Sequence, residues 1–202
     1  PRHLDVMLEL WPKIRKRVRD AELHVFYGWD VFDRVALTNP HLHAYKARVM
    51  ELLAAAGGEE GGVFMRGRMG QRELAAEMQS ARVWAYPTAF LETSCIGAME
   101  ARAAGLAIVT SDLGALHETV GEHGHLLRAR EDAEPPTNTT VGYQRTFVSE
   151  VVAALNDESR WTVLHRAARV DIAGLDWSRR IPEWEALLPK AARKPRSRAK
   201  AA

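Results

Sequence analysis

RVWAYPTAFLETSCIGAMEARAAGLAIVT, residues Arg82–Thr110, decides the fold. Val83 to Tyr86 reads as a short apolar strand that runs into Pro87-Thr88. Glu92 follows, then the small polar run Thr93-Ser94-Cys95, then an alanine-rich helix carrying a second acid at Glu100. Gly105 closes that helix, as glycine does at a left-handed C-cap, and a second strand begins at Ala107. A loop that follows a strand of this kind lies at the carboxyl edge of a parallel sheet, where doubly wound folds take their ligands.

Working outward, strand and helix signals alternate. Leu4, Met7, Leu8, Trp11, Ile14 and Val18 recur at intervals of three and four, one face of a helix. Pro12 inside that pattern predicts a kink or break after Trp11. Strands are expected at Leu23 to Tyr27, Val63 to Met65 and Leu126 to Arg128, and helices at His41 to Ala56 and Gln71 to Ser80. Gly57 to Gly62 is a turn, and Arg130 to Thr140, with Pro135-Pro136, is a loop. Helices at Tyr143 to Leu155 and Ser159 to Ala173 precede a last short one. Its Trp177, Ile181, Trp184 and Leu187 are expected to dock on the body. This alternation calls for an α/β, Rossmann-like fold: a parallel sheet with helices on both faces. Its first element is a helix. In strand order 3-2-1-4-5-6 the strand before that helix would be central, so the first strand is expected to be missing and the chain to be cut inside the first strand-helix loop.

Composition narrows the class. The chain has 202 residues, a net charge of +2 and one cysteine, which excludes an intrachain disulfide and makes a cytoplasmic setting the expectation. No apolar run approaches a membrane span. Residues 189–202 form a basic tail: Lys190, Arg193, Lys194, Arg196, Arg198 and Lys200 stand there without an acid. Such a block reads first as a disordered solubilising tail and second as a peripheral contact with anionic membrane lipid. It has no interleaved aromatics, which makes nucleic acid an unlikely partner.

Several signals are weighed and set aside. His117, His123 and His125 match no usual zinc spacing, so no metal is expected. Cys95 has no paired histidine and reads as a small packing residue at a helix start. Gly57 to Gly62 lacks the Gly-Lys-Ser/Thr of a phosphate loop. On spacing alone, two glutamates eight apart are solvated helix charges.

The pattern around them resembles the carboxyl-terminal, donor-binding domain of retaining GT-B glycosyltransferases of the family 4 type, over residues 1–188. Five segments carry the resemblance in order: Glu22 to Gly28; Gly67, Met69 and Glu73-Leu74; Pro87-Thr88 with Glu92 and Glu100; Ala103 to Val109; and Gly114, Glu118 and Val120. It implies a domain that binds a nucleoside diphosphate sugar, with a separate amino-terminal domain for the acceptor and no cofactor. Glu92 would bond donor-sugar hydroxyls and Glu100 the ribose. Backbone N–H groups of Thr93, Ser94, Cys95 and Ile96 would meet the diphosphate at a helix start. Arg2 would neutralise that diphosphate, and Arg68 and Met69 would flank the base. The chain departs from the family where relatives carry Gly and it has Thr93-Ser94-Cys95, and where they carry Lys-Gly or Arg-Gly and it has Arg2-His3. The reaction implied is transfer of a hexose to a hydroxyl with retention. The alternative is an isolated nucleotide-binding module, or a fragment inactive without its acceptor domain.

Overall fold

A computed structural model describes residues 3–128, 138 and 140–188. Arg2, the basic tail from residue 189 and most of the Arg130 to Thr140 loop lie outside them. The described elements are α1 (Leu4–Arg15), β1 (Leu23–Phe26), α2 (Asp30–Ala36), α3 (Pro40–Ala55), β2 (Val63–Gly67), α4 (Gln71–Ser80), β3 (Val83–Tyr86), α5 (Ile96–Ala104), β4 (Ala107–Asp112), α6 (Leu116–Val120), β5 (Gly124–Arg128), α7 (Val141–Asn156), α8 (Glu158–Ile172) and α9 (Trp177–Leu187). Every strand pairing is parallel, and the expected α/β class holds.

The strands form two sheets. β1 pairs with β2, and β3-β4-β5 make a second sheet with β4 central. β1 and β3 share no ladder among the described residues. The sheet order expected from the sequence thus reads as 2-1 and 3-4-5.

One apolar cluster nevertheless spans both sheets. α1 contributes Val6, Met7, Leu8, Leu10, Trp11 and Ile14, all nearly or wholly buried. These pack with Val49 of α3, with Val109 and Leu127 of the three-stranded sheet, with Val63 of β2, and with Tyr143, Phe147, Val148 and Val151 of α7. On the opposite face Ile108, Leu106, Leu116, Val120, Ala98 and Ala101 form a second cluster with Trp84, Tyr86 and Leu126 at its border. Alternate residues of one strand therefore face opposite helical layers, the period-2 signature of a strand covered on both sides.

Three expectations are corrected. Pro12 does not break the first helix; α1 runs through it to Arg15, held by burial of the residues on either side, and Lys16 N–H still donates to the Pro12 carbonyl at 3.0 Å. The buried face is also wider than one stripe, because α3 and α7 flank α1 over the sheets. α2 was not expected. Its Val31 and Val35 and the C-cap Leu37 stay exposed, so no apolar periodicity announces it, and it rests on α3 through Phe32 against Tyr45 and Lys46 on Asp33 at 2.7 Å. α9 forms where a last helix was expected, but it does not dock: Trp177 is 73%, Trp184 61% and Leu187 80% exposed.

The turns follow local chemistry. Asn39 caps α3 by accepting from His41 N–H at 3.1 Å, with Pro40 at the first helical position. Glu73 of α4 reaches back to accept from Gly70 N–H at 3.0 Å, which gives the Glu73-Leu74 signature a capping role. Gly105 ends α5 at φ 80, and a Cβ there would lie 2.2 Å from Nδ1 of His165 on α8. Gly105→Ala is therefore expected to destabilise the chain by about 1–3 kcal/mol, from a left-handed backbone and a clash together. Urea denaturation measures it; a loss under about 0.5 kcal/mol would show that α8 does not pack on this turn.

Candidate functional site

The candidate site lies where the carboxyl ends of β3 and β4 meet the amino end of α5. β3 stops at Pro87, and the chain needs six residues to return Glu92 beside the last residue of the strand, Tyr86. The return loop is pinned along its length. Thr110 Oγ1 donates to the Tyr86 carbonyl at 2.8 Å, and Thr88 N–H donates to the same oxygen at 2.9 Å. Asn138 Nδ2 donates to the Pro87 carbonyl, and Ser111 Oγ to the Thr88 carbonyl. Phe90 N–H donates to Thr88 Oγ1 at 3.0 Å, a local turn of the kind threonine supports. Ser111 also bonds the Tyr143 hydroxyl of α7 at 2.7 Å, and burial pushes that phenol up to about 12 against the opposing pull of the Ser111 bond.

Glu92 ends this path nearly buried, 5% exposed. Its side chain and its backbone are both held. The Tyr86 hydroxyl donates to Glu92 Oε1 at 2.8 Å, and Ala115 N–H donates to the Glu92 carbonyl at 2.8 Å. The second contact requires close approach of the loop after β4. Gly114 stands there at φ 56, and a Cβ would lie 2.7 Å from the Glu92 carbonyl oxygen and 3.1 Å from its nitrogen. The Gly114 signature thus has a physical cause: it lets one loop lie against the backbone of the other.

Past Glu92, Thr93 and Ser94 are exposed and Cys95 is buried as the N-cap of α5. The side chain of this N-cap makes no cap hydrogen bond, and the first turn of α5 holds no acid. Ile96, the first residue of α5, is 66% exposed. A helix start without a cap from its own N-cap side chain and with exposed flanks offers N–H groups and partial positive charge to an anion. Glu100 is half-buried one turn further on and lines a groove of about 230 Å³ between α4 and α5, with Leu74 and Met78 opposite. The groove continues to Ala104, away from the sheet's carboxyl edge, so only its Glu100 end adjoins the site.

On the other sheet, Arg68 is exposed and Met69 half-buried directly after β2. Tyr27 N–H donates to the Gly67 carbonyl at 2.7 Å, tying the ends of β1 and β2 together. Tyr27 adopts φ 95 and is 73% exposed. His3, at the start of α1, stands at φ 59, the left-handed conformation that glycine takes without strain. Burial lowers its pKa, which Asp5 partly offsets. Glu118 is exposed on α6. The histidines expected to be no metal centre have protein partners: His117 meets Asp112 at 3.1 Å and His125 meets Glu150 at 3.3 Å.

The structure thus gathers Glu92, Thr93, Ser94, Cys95 and Ile96 in one loop and helix start, with Glu100 on the same helix. It sets Arg68 and Met69 directly after β2, at the carboxyl end of a strand of the other sheet. Tyr86, Gly114, Ser111 and Asn138 shape the site but were not singled out for it from the sequence. Only a Gly within the Gly114 to Val120 signature could have pointed to one of them.

Residues 1–138 match the protein family described as glycosyl transferases group 1. No curated protein matches the chain. Among solved structures it is similar to the pneumococcal O-GlcNAc transferase GtfA in complex with UDP and GlcNAc, with a TM-score of 0.68 and 15% identity over 92% of this chain and 32% of that one. A TarM mutant from S. aureus in complex with Fondaparinux, alpha-GlcNAc-glycerol and UDP gives 0.64 and 12%, over 92% and 32%. A glycosyltransferase from Rickettsia africae gives 0.62 and 13%, over 92% and 45%. The chain thus spans a third to just under half the length of these structures.

Gly114→Ala is expected to separate the two loops and cost about 2–4 kcal/mol, since both the left-handed backbone and the Glu92 backbone contact are lost. Thermal or urea denaturation checks this; wild-type stability would mean that the two loops are not in contact.

Proposed function

We propose, from the premise that this chain belongs to the glycosyl transferases group 1 family, that it is the donor-binding part of a retaining hexosyltransferase. The observation that carries the reading is a carboxylate, Glu92, clamped at the carboxyl edge of a parallel sheet beside the start of α5.

The donor is a nucleoside diphosphate sugar, and the neighbours solved with UDP support that class. N–H groups from Thr93 to Ile96 take the diphosphate, with Arg2 as its cationic partner. Glu92 accepts from sugar hydroxyls and Glu100 from the ribose diol, since a carboxylate is an acceptor-only group suited to a diol. Arg68 and Met69 border the base. As the bond to the sugar breaks, negative charge grows on the leaving diphosphate, and the oriented amides stabilise it. The acceptor hydroxyl is held by a second domain, and its positioning supplies the remaining part of the rate. The basic run after Leu188 is the segment proposed to meet anionic lipid.

A thermal-shift panel of UDP, GDP and ADP with their sugars tests this, because a ligand of the native state raises the melting temperature. Glu100→Ala is expected to weaken the nucleotide and its sugar alike, by about 1.5–3 kcal/mol, the scale of a hydrogen bond to a charged group. Unchanged affinity in a folded variant would return Glu100 to the role of a helix charge.

Binding is also expected to survive EDTA and to weaken as salt rises, because exposed charge contacts are screened over about 10 Å at 0.1 M. Calorimetry with and without Mg²⁺ decides this. Affinity that disappears with EDTA and returns with Mg²⁺ would assign the diphosphate to a metal instead.

A further inference from the structure

We infer that Tyr27 is the stacking platform for the nucleobase of the donor. The inference rests on the donor-site reading above and adds to it a residue that neither the paired acids nor the Arg68-Met69 segment includes.

Tyr27 follows β1 directly and stands at φ 95, one of two non-glycine residues with positive φ among those described. Glycine takes that conformation without strain, and a tyrosine there costs stability. The turn around it is otherwise built from glycine: Gly28 stands at φ 58 and Gly67, at the end of β2, at φ 68. β1 and β2 also slip register here. Val25 pairs with Met65 and Phe26 with Gly67, which leaves Arg66 as an extra residue on β2. A bulge of this kind re-aims the chain beside it. Tyr27 N–H then donates to the Gly67 carbonyl at 2.7 Å, which fixes the residue against the end of β2.

The fold makes no use of the side chain so placed. Tyr27 is 73% exposed, and among the described residues its ring has no ring contact and its hydroxyl no hydrogen bond. The aromatic residues after it pack instead. Trp29 lies edge-on to Phe32 at 5.1 Å, and Phe32 lies 5.9 Å from Tyr45. A strained backbone that carries an exposed aromatic points to a ligand as the user of the ring.

The surroundings suit a flat ligand. Gly28 lies close on the end of β2: a Cβ there would be 3.5 Å from Gly67 Cα and 3.6 Å from the Arg68 nitrogen. A Cβ on Gly67 would meet nothing within 4 Å, so the space beside that residue is open. Arg68 and Met69, read above as bordering the base, follow it in the chain. An exposed ring tethered to a bare glycine backbone, with open space beside that glycine, is chemistry that receives a planar base. Every base has a π-face, so stacking on a side-chain ring is tolerant of which base it is. Tyr27 therefore adds affinity for the nucleoside and does not choose among bases.

Stability and binding respond differently to its removal, and this sets the test. Calorimetry with UDP, GDP and ADP finds the tightest of the three for the wild-type chain, and thermal denaturation reads stability. Tyr27→Gly removes strain and ring together. It is expected to weaken that nucleotide about tenfold, the scale of one base stack lost by truncation. Its melting temperature is expected to stay at or above that of wild type, since relief of the positive φ offsets the greater freedom of glycine in the unfolded chain. Tyr27→Asn keeps a residue that tolerates positive φ and is expected to lose the same affinity, whereas Tyr27→Phe keeps the ring and is expected to stay within about twofold of wild type. Wild-type affinity in Tyr27→Gly, or in Tyr27→Asn alone, overturns the stacking role and keeps the donor site. So does a loss in Tyr27→Phe as large as that in Tyr27→Gly, which would assign the effect to the hydroxyl. A melting temperature lowered in Tyr27→Gly would show that the ring packs in the fold and overturns the inference as well. A wild-type chain that binds none of the three nucleotides overturns the donor site itself.

Discussion

Burial of β4 from both faces is the constraint on which the rest depends. Ile108 and Val109 are wholly buried, one in each apolar cluster, and residues Ala107 to Ser111 all lie inside. A strand covered on both sides leaves no backbone polar group to water, so its ladder must be filled by a strand on each edge. β3 and β5 fill it, in register from Val83 against Ala107 and from Ile108 against Gly124. Once that is fixed, the polar end of β4 has one way out. Thr110 turns its hydroxyl to the carbonyl of Tyr86, the last residue of β3, and Ser111 to that of Thr88 in the loop after it, and this pins the path toward Glu92. The stability of the sheet and the shape of the site therefore share the same residues.

Most of the fold was legible because its elements carry strong local signals. Gln71 to Ser80, Val83 to Tyr86 and the Gly105 stop agree with the sequence reading to the residue, since strand composition, helix formers and a C-cap glycine all point the same way there. The failures lie where one signal outweighed another through tertiary context. Pro12 reads as a breaker, yet burial around it keeps α1 whole. α9 has a clear apolar stripe, but the stripe lies exposed; a helical period shows which side chains share a face and not what covers them. α2 escaped notice because it buries almost nothing: Ala36 alone of its residues is buried.

The site divides along the same line. Glu92 and Glu100 stand out as acids embedded in a patterned segment. Tyr86 reads as a strand residue and Asn138 as a loop residue, and nothing in their local spacing separates a structural tyrosine from one that holds a carboxylate. Gly114 could be read as a signature position, but the reason for it is a contact with the backbone of Glu92, a residue 22 positions earlier. Such contacts become visible only when the two loops are placed side by side.

Two non-glycine residues with positive φ make the same point about the other sheet. Tyr27 stands at φ 95 after β1 and His3 at φ 59 before α1. Each costs about 1–3 kcal/mol relative to an ordinary backbone. Tyr27 is held by its N–H bond to the Gly67 carbonyl, and its ring stays in solvent, so packing of the ring does not offset that cost. The strain instead keeps the ends of β1 and β2 together, beside Arg68 and Met69. Close approach is found at the amino ends of the strands as well: a Cβ at Gly105, before β4, would lie 2.2 Å from His165, and one at Gly124, the first residue of β5, 2.4 Å from Val120, so strained or crowded backbone serves packing at one edge and the candidate site at the other.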